Sequence, residues 1–277
     1  MGKLGVSKLA LIAITVGVIA AVAFSVNIEE QDSASPALLE SAEEGISKAL
    51  ILDQLHVDYP NEEYQQNATK LLKAAGFDEV DIVTTEDITV DFYKTLPEKN
   101  YKIIVARMHS LAIHEEGRES VWMFTGEKYT EDEYIMEQLS GQVSRAVPLT
   151  VTTAQAQGFE EAAQKRHFIV SSKLVDEGMV GNFPGTMVVL GGCDTMKFPF
   201  MAESLVERGA SHVFGWHGLV NVDDNDRGTL MLLEEILING EAPDDAAKKT
   251  MKQFYDDMLY KNGGLKHFST GASEFEI

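Results

Sequence analysis

The side chains best able to do chemistry in this sequence follow short apolar segments. The chain of 277 residues holds one cysteine, Cys193, and seven histidines. His56, His109 and His217 each follow such a segment, and Cys193 follows another. A thiol becomes a nucleophile when a nearby base removes its proton, and histidine titrates near neutral pH. The pattern therefore indicates thiol chemistry, provided that the fold brings Cys193 next to a histidine.

Apolar segments that alternate with helical patterns predict the elements that position these residues. The predicted strands are 48–55, 80–85, 101–108, 186–191 and 211–216, and the predicted helices are 62–75, 90–96, 200–208, 229–238 and 244–260. Such alternation predicts an α/β fold with a mostly parallel sheet that helices cover on both faces. The carboxyl ends of parallel strands share one edge, where ligands bind. We therefore expect the three histidines and Cys193 at that edge.

A long segment separates the third predicted strand from the fourth. Within it, 121–130 is typical of a small antiparallel hairpin, and 167–172 of an extra strand. We interpret about 111–185 as an insertion at the ligand-binding edge of one domain that spans 47–277.

Cys193 lies in the sequence Gly191-Gly192-Cys193-Asp194-Thr195. Glycines before a nucleophile let the backbone turn sharply off a strand and let a substrate approach closely. A free cysteine also packs well as a small apolar side chain. Spacing alone leaves both interpretations of Cys193 open.

Longer stretches of sequence add a resemblance to a known family. From residue 187 the chain reads MVVLGGCDTM, then FMAESLVERGASHVFGWHGLVNVDD and later EAPDDAAKKTM, and upstream it reads IIVARMHS. These segments resemble a caspase-like (clan CD) cysteine peptidase, nearest to the CHAT branch. The resemblance covers about 47–270 and is strongest over 187–250. It implies a caspase-like three-layer sandwich with a mostly parallel sheet.

The resemblance also implies catalytic roles. His109 would be the general base and acid, and Cys193 the nucleophile that forms an acyl-enzyme. The backbone N–H groups of Ser110 and Cys193 would form the oxyanion hole. Ser110 stands where the family usually has glycine, and the carboxylate of Asp194 would raise the pKa of the thiol unless it points away. His114 is the alternative base.

The segment after the fifth predicted strand would form the substrate pocket. The resemblance implies that Trp216, His217, Asp223 and Asp224 line it, and carboxylates there would favour a Lys or Arg side chain. Two other interpretations of the acidic residues stay open: a solvated loop, or a calcium loop. Arg227 occupies a ligand position of that calcium loop, and we expect no cofactor or metal.

The sequence at the N-terminus predicts that the protein is exported. Residues 9–24 are uncharged and apolar, follow Lys3 and Lys8, and precede the acidic residues Glu29, Glu30 and Asp32. The positive-inside rule then leaves the rest of the chain outside the cell. We interpret 1–26 as a signal anchor, with a cleaved signal peptide as the alternative, and 27–46 as an acidic stalk.

Charge narrows the class of partner. The formal net charge is −21, and it becomes −23 without 1–26, which hold two lysines and no acidic residue. This excess repels nucleic acid and anionic lipid, so we expect a peptide or protein substrate and membrane contact through the N-terminal helix only. A single cysteine excludes an intrachain disulfide and a cysteine-rich zinc site. The sequence leaves the oligomeric state open.

Two functional hypotheses follow. The first is an exported or membrane-anchored cysteine endopeptidase with a Cys193–His109 dyad, which cleaves after basic residues. The alternative is a catalytically inactive caspase-like binding or scaffold domain on the outer cell surface. A doubly wound solute-binding domain is a third hypothesis, although it does not explain the lone thiol beside a histidine.

Overall fold

A computed structural model of the protein describes residues 46–114, 119–148, 165–261 and 263–269. The predicted N-terminal anchor and nearly all of the predicted stalk lie outside the described residues, as do 115–118 and 149–164 of the predicted insertion. None of the helices in the described ranges is both long and apolar enough to cross a membrane.

Ten strands and six α-helices make up the described part of the chain. The strands are β1 (Lys48–Asp53), β2 (Glu79–Thr84), β3 (Ile103–Arg107), β4 (Ser110–Ile113), β5 (Ser120–Lys128), β6 (Val143–Ala146), β7 (His167–Ser171), β8 (Met187–Gly191), β9 (His212–His217) and β10 (Gly264–Ser269). The α-helices are α1 (Glu62–Ala74), α2 (Val90–Thr95), α3 (Ile135–Ser140), α4 (Phe200–Glu207), α5 (Val222–Leu237) and α6 (Pro243–Phe254). Short 3₁₀ turns span Thr85–Asp87, Leu96–Lys99 and Tyr255–Asp257, and a π-helical turn spans Leu174–Gly178.

The larger sheet confirms the predicted α/β class. Its six strands run in the order β10-β9-β8-β3-β1-β2, and all neighbours are parallel except β10, which is antiparallel to β9. Successive residues of β1 enter different cores, since Ala49 and Ile51 pack on one face of the sheet and Leu50 and Leu52 on the other. This is the alternation that a strand imposes, and it explains why the central strands are continuously apolar.

A second sheet of four strands lies within the predicted insertion, in the order β4-β5-β7-β6. The extra strand predicted at 167–172 is confirmed as β7. The prediction of a hairpin at 121–130 is wrong, because those residues belong mainly to the single strand β5. Gly126 makes no turn there: a Cβ at this position would lie 1.5 Å from the backbone oxygen of Thr85, so glycine allows a close approach of two backbones.

The acidic residues that follow the fifth parallel strand form a helix. Both the solvated-loop and the calcium-loop interpretation are therefore wrong: α5 begins at Val222, and the side chain of Asn221 accepts a hydrogen bond from the backbone N–H of Asp224 at 2.8 Å. Asn is a favoured N-cap, and acidic side chains in the first turn suit the positive end of the helix dipole. Among the described residues, no group of three or more His, Cys, Asp or Glu side chains is arranged to hold a metal ion.

Candidate functional site

His109 and Cys193 leave neighbouring strands at the same edge of the sheet. In the register of β3 and β8, Arg107 is opposite Gly191, and the N–H of Met108 donates to the carbonyl of Gly191 at 2.8 Å. His109 and Cys193 each stand two residues beyond that opposing pair. Adjacent parallel strands thus place side by side the two turns that carry the thiol and the histidine.

The hydroxyl of Ser110 joins the two turns. Its Oγ donates to the carbonyl oxygen of Cys193 at 2.5 Å. A Cβ on Gly192 would lie 2.5 Å from that Oγ and 2.7 Å from the carbonyl oxygen of Met108. Glycine is therefore needed at 192 because the two backbones approach so closely. The serine that departs from the family pattern makes a hydrogen bond that glycine could not make.

Both the backbone and the ring of His109 have contacts that hold the residue in place. Its backbone N–H donates to Oε1 of Gln54 at 2.8 Å, and its Nε2 lies 3.8 Å from a carboxylate oxygen of Asp58. The rings of Tyr59 and Phe124 contact it edge-on, each with a centroid distance of 5.9 Å. Burial lowers the pKa of His109, and the charge of Asp58 opposes that effect. The imidazole is thus predominantly neutral at neutral pH and able to accept a proton.

The thiol of Cys193 points to another partner. Its Sγ donates to the carbonyl oxygen of Val220 at 3.3 Å, and among the described residues no hydrogen bond joins it to the ring of His109. Burial raises the pKa of Cys193, and the charge of Asp194 raises it further. The side chain also packs against the apolar cluster beneath α5. In this conformation the cysteine is a neutral thiol.

Backbone contacts fix the turn that carries the thiol. Asp194 adopts a left-handed conformation with φ of 57°, and its N–H donates to the carbonyl of Gly218 at 2.9 Å. The hydroxyl of Thr195 donates to the carbonyl of Leu190 and accepts from the N–H of Trp216, both at 2.9 Å. The turn is therefore attached to the strand it leaves and to β9.

The backbone N–H of Ser110 faces away from β5. Ser110 is opposite Met123, while the N–H of Phe124 donates to the carbonyl of His109 at 3.1 Å. Because hydrogen-bonded and non-hydrogen-bonded pairs alternate in an antiparallel ladder, Ser110 occupies a non-hydrogen-bonded position. Its N–H group is directed to the open side of β4, where a donor of an oxyanion hole would be useful.

Two of the four predicted pocket residues lie inside the fold. Trp216 is 1% exposed, and its Nε1 donates to Oδ1 of Asn225 at 2.9 Å. Asp224 is buried and accepts a hydrogen bond from the N–H of Leu259 at 2.8 Å. Both side chains support the packing of α5 instead of lining a surface pocket. Asp223 is exposed and His217 is half-buried, so these two can contact a ligand.

A buried ion cluster beneath the site was not anticipated from the sequence. The guanidinium of Arg107 donates from Nε to Asp226 at 2.6 Å, from Nη1 to Asp53 at 2.8 Å, and from Nη2 to the carbonyl of Tyr59 at 2.8 Å. Arg107 and Asp53 are 0% exposed. A charged residue inside an apolar strand needs buried partners, and this was the available signal. The cluster joins the strand before His109, the strand before Gln54 and helix α5.

The other histidines of this region have structural partners. Nδ1 of His56 lies 3.2 Å from Nε2 of Gln65 and 3.9 Å from a carboxylate oxygen of Asp53. His114, the alternative base, stacks on Phe198 with a centroid distance of 5.8 Å and lies 3.4 Å from Glu119. The side chain of His114 is 74% exposed.

Comparisons with known proteins find similar solved structures but no similar family model or curated sequence. No family model and no curated protein sequence matches the chain, and the predicted likeness to CHAT domains stays a prediction. Among solved structures, the chain is similar to the crystal structure of the Drosophila initiator caspase Dronc, with 14% sequence identity and a TM-score of 0.40. The similarity covers 80% of this chain and 79% of that one. A likeness of this degree carries no argument about function.

Proposed function

We propose that this chain is a cysteine endopeptidase in which His109 activates Cys193. One observation supports it above the others: the turns that bear the two residues are adjacent, and the hydroxyl of Ser110 joins them. A neutral imidazole beside a thiol is the arrangement that a histidine-activated nucleophile requires.

In the proposed reaction, His109 takes the proton of the thiol and the sulfur attacks the carbonyl carbon of the substrate. The oxyanion that forms is stabilised by the N–H groups of Ser110 and Cys193. His109 then gives the proton to the leaving amine as the C–N bond breaks, which leaves a thioester on Cys193. Water attacks the thioester with His109 again as the base, and as the C–S bond breaks His109 returns the proton to the sulfur and the acid product leaves.

The thiol has to turn before it can react. Its present acceptor is the carbonyl of Val220, and its pKa is raised by burial. We infer that a bound substrate displaces the thiol from Val220 toward His109. The described conformation is then the resting state of the enzyme.

The resting state has a measurable consequence for alkylation. The thiolate reacts with iodoacetamide and the thiol does not, so the rate should rise with pH and have its midpoint above the ordinary value of about 8.5. Because Cys193 is the only cysteine, total alkylation of the full chain reports on this residue alone. The urea-unfolded chain is the control and should return to the ordinary midpoint. A folded-state midpoint below about 8.5 would contradict the resting state described here.

The same thiol contact favours a second candidate function. A cysteine with a raised pKa, hydrogen-bonded to a backbone carbonyl, suits a binding or scaffold domain that does not hydrolyse peptides. The two functions differ in whether the chain hydrolyses peptides. A library that yields no cleavage product with the folded chain would leave the binding function as the better explanation.

A peptide library with mass-spectrometric detection of products tests the endopeptidase. We expect cleavage after Lys or Arg, because exposed Asp223 follows Val220 by three residues and the chain is strongly acidic. Asp223→Asn should reduce that preference by about two- to fivefold, the value of an exposed charge pair. Asp245→Asn, an exposed carboxylate in the first turn of α6, is the matched control. Equal preference in both variants would exclude Asp223 from the pocket.

The proposal includes export. The apolar stretch at 9–24 supports a cell membrane protein with the domain outside, or a secreted one, with a peptide or protein as its partner and not nucleic acid. External protease added to intact cells should degrade the domain at 47–277. Protection of this domain in intact cells, together with its loss after lysis, would contradict an external location.

A further inference from the structure

Two histidines converge on one face of the β9–β10 pair. His212 is opposite Ser269 and His267 is opposite Phe214, so the two histidines are diagonal neighbours whose side chains share a face. Nδ1 of His212 lies 3.0 Å from Nε2 of His267. His212 begins β9, whereas Cys193 follows the carboxyl end of β8, so this pair lies at the opposite edge of the sheet from the candidate active site.

The surroundings keep both rings neutral and in place. The ring of His267 stacks on Phe214 with a centroid distance of 4.7 Å. Burial lowers the pKa of His212, and burial together with the charge of His212 lowers the pKa of His267 to about 4. Neutral imidazole is the form that binds metal ions. Both side chains are only half-buried, so an ion from solvent can reach them.

A nearby carboxylate adds negative charge. Asp244, in the first turn of α6, is close enough for its charge to act on His267. Its carboxylate is exposed and forms an ion pair with Lys248. The negative charge of Asp244 favours a cation near His267.

We propose that His212 and His267 bind a divalent cation of the zinc class through Nδ1 and Nε2, respectively, with water molecules as the remaining ligands. Two Zn–N bonds of about 2.0–2.1 Å at a tetrahedral angle place their nitrogens about 3.3 Å apart. The observed 3.0 Å is close to this separation. Imidazole nitrogen suits zinc, copper and nickel, whereas magnesium and calcium prefer oxygen.

The bound ion would join β10 to β9. β10 is an edge strand and forms the last described part of the chain. An ion that binds only the folded state stabilises that state, and here it would resist detachment of the edge strand. The proposed site is structural and takes no part in peptide hydrolysis.

Zinc titration calorimetry of the full chain tests the site. The experiment uses the Cys193→Ala variant as its parent, because a thiol beside His109 could itself bind zinc. We expect one zinc ion per chain, with the affinity reduced more than about tenfold in His212→Gln and in His267→Gln, since loss of even an outer-shell partner costs about 10- to 100-fold. His114→Gln, which alters a largely exposed histidine, should bind as the parent does.

Zinc affinity that is unchanged in both variants would overturn the proposal. A folded parent that binds no zinc would also overturn it and would show that the two histidines form a hydrogen bond only. Where a variant fails to fold, modification of the parent by diethyl pyrocarbonate decides. Zinc should protect His212 and His267 and leave His114 reactive. Equal modification of the pair with and without zinc would overturn the proposal.

Discussion

Replacing Cys193 by alanine is expected to lower peptide hydrolysis by the full chain by about 10⁴-fold or more. Enzymes that form a covalent intermediate lose nearly all of their chemical rate when the nucleophile is removed. The remaining thiol-independent rate would come from substrate binding and the backbone donors of the oxyanion hole. Initial rates on a peptide selected from the library give the measurement. Circular dichroism of the variant checks that it is folded.

A double variant that carries both Cys193→Ala and His109→Ala tests whether the two residues act together. A nucleophile and its base act as a unit, so His109→Ala should cost about as much as Cys193→Ala, and the pair together no more than either alone. His114→Ala is the control, because that side chain is largely exposed and stacks on Phe198. Hydrolysis that survives Cys193→Ala would exclude the proposed nucleophile. Equal losses in His109→Ala and His114→Ala would exclude His109 as the specific base.

The edge that holds the candidate site was predictable, because it depends on local periodicity and one topological rule. Apolar runs separated by helical patterns gave β1, β3, β8 and β9 close to their observed bounds. Parallel strands then required that His109 and Cys193 leave the sheet at the same edge. The direction of the thiol was not predictable, because Val220 approaches Cys193 from a loop whose path depends on β9 and α5.

Contacts with other parts of the chain explain why the acidic run before Gly228 and the side chain of Trp216 differ from their predictions. The acidic run before Gly228 lacks apolar periodicity, yet it forms the first turns of α5 because Asn221 caps the helix and Asp226 turns inward to Arg107. Trp216 ends an apolar strand in the sequence, and it lies in the core because it packs in one apolar cluster with residues of α5 and α6, where Asn225 accepts a hydrogen bond from its ring nitrogen. These partners are distant in sequence or hidden in a charged stretch, so composition and spacing do not reveal them.

Replacing Arg107 by methionine is expected to lower the free energy of unfolding by about 3–5 kcal/mol, the usual cost of removing one partner of a buried ion pair. Methionine fills much of the same space but leaves the carboxylates of Asp53 and Asp226 buried without their cation. Urea unfolding followed by circular dichroism measures the change. Lys48→Met is the matched control, since its 2.9 Å pair with Glu79 is partly exposed and should cost at most about 1 kcal/mol.

The loss of stability in Arg107→Met should depend on pH, because the pKa of Asp226 is already raised in the folded protein. Burial raises its pKa, while hydrogen bonds and charge from Arg107 and a hydrogen bond from Asn61 lower it. Without Arg107 the folded-state pKa rises further above the unfolded value, so the folded state binds the proton more tightly. The variant should therefore regain stability relative to the parent as the pH falls from about 8 to about 5. A deficit that stays constant over this range would show that lost packing, and not an unpaired carboxylate, causes the destabilisation.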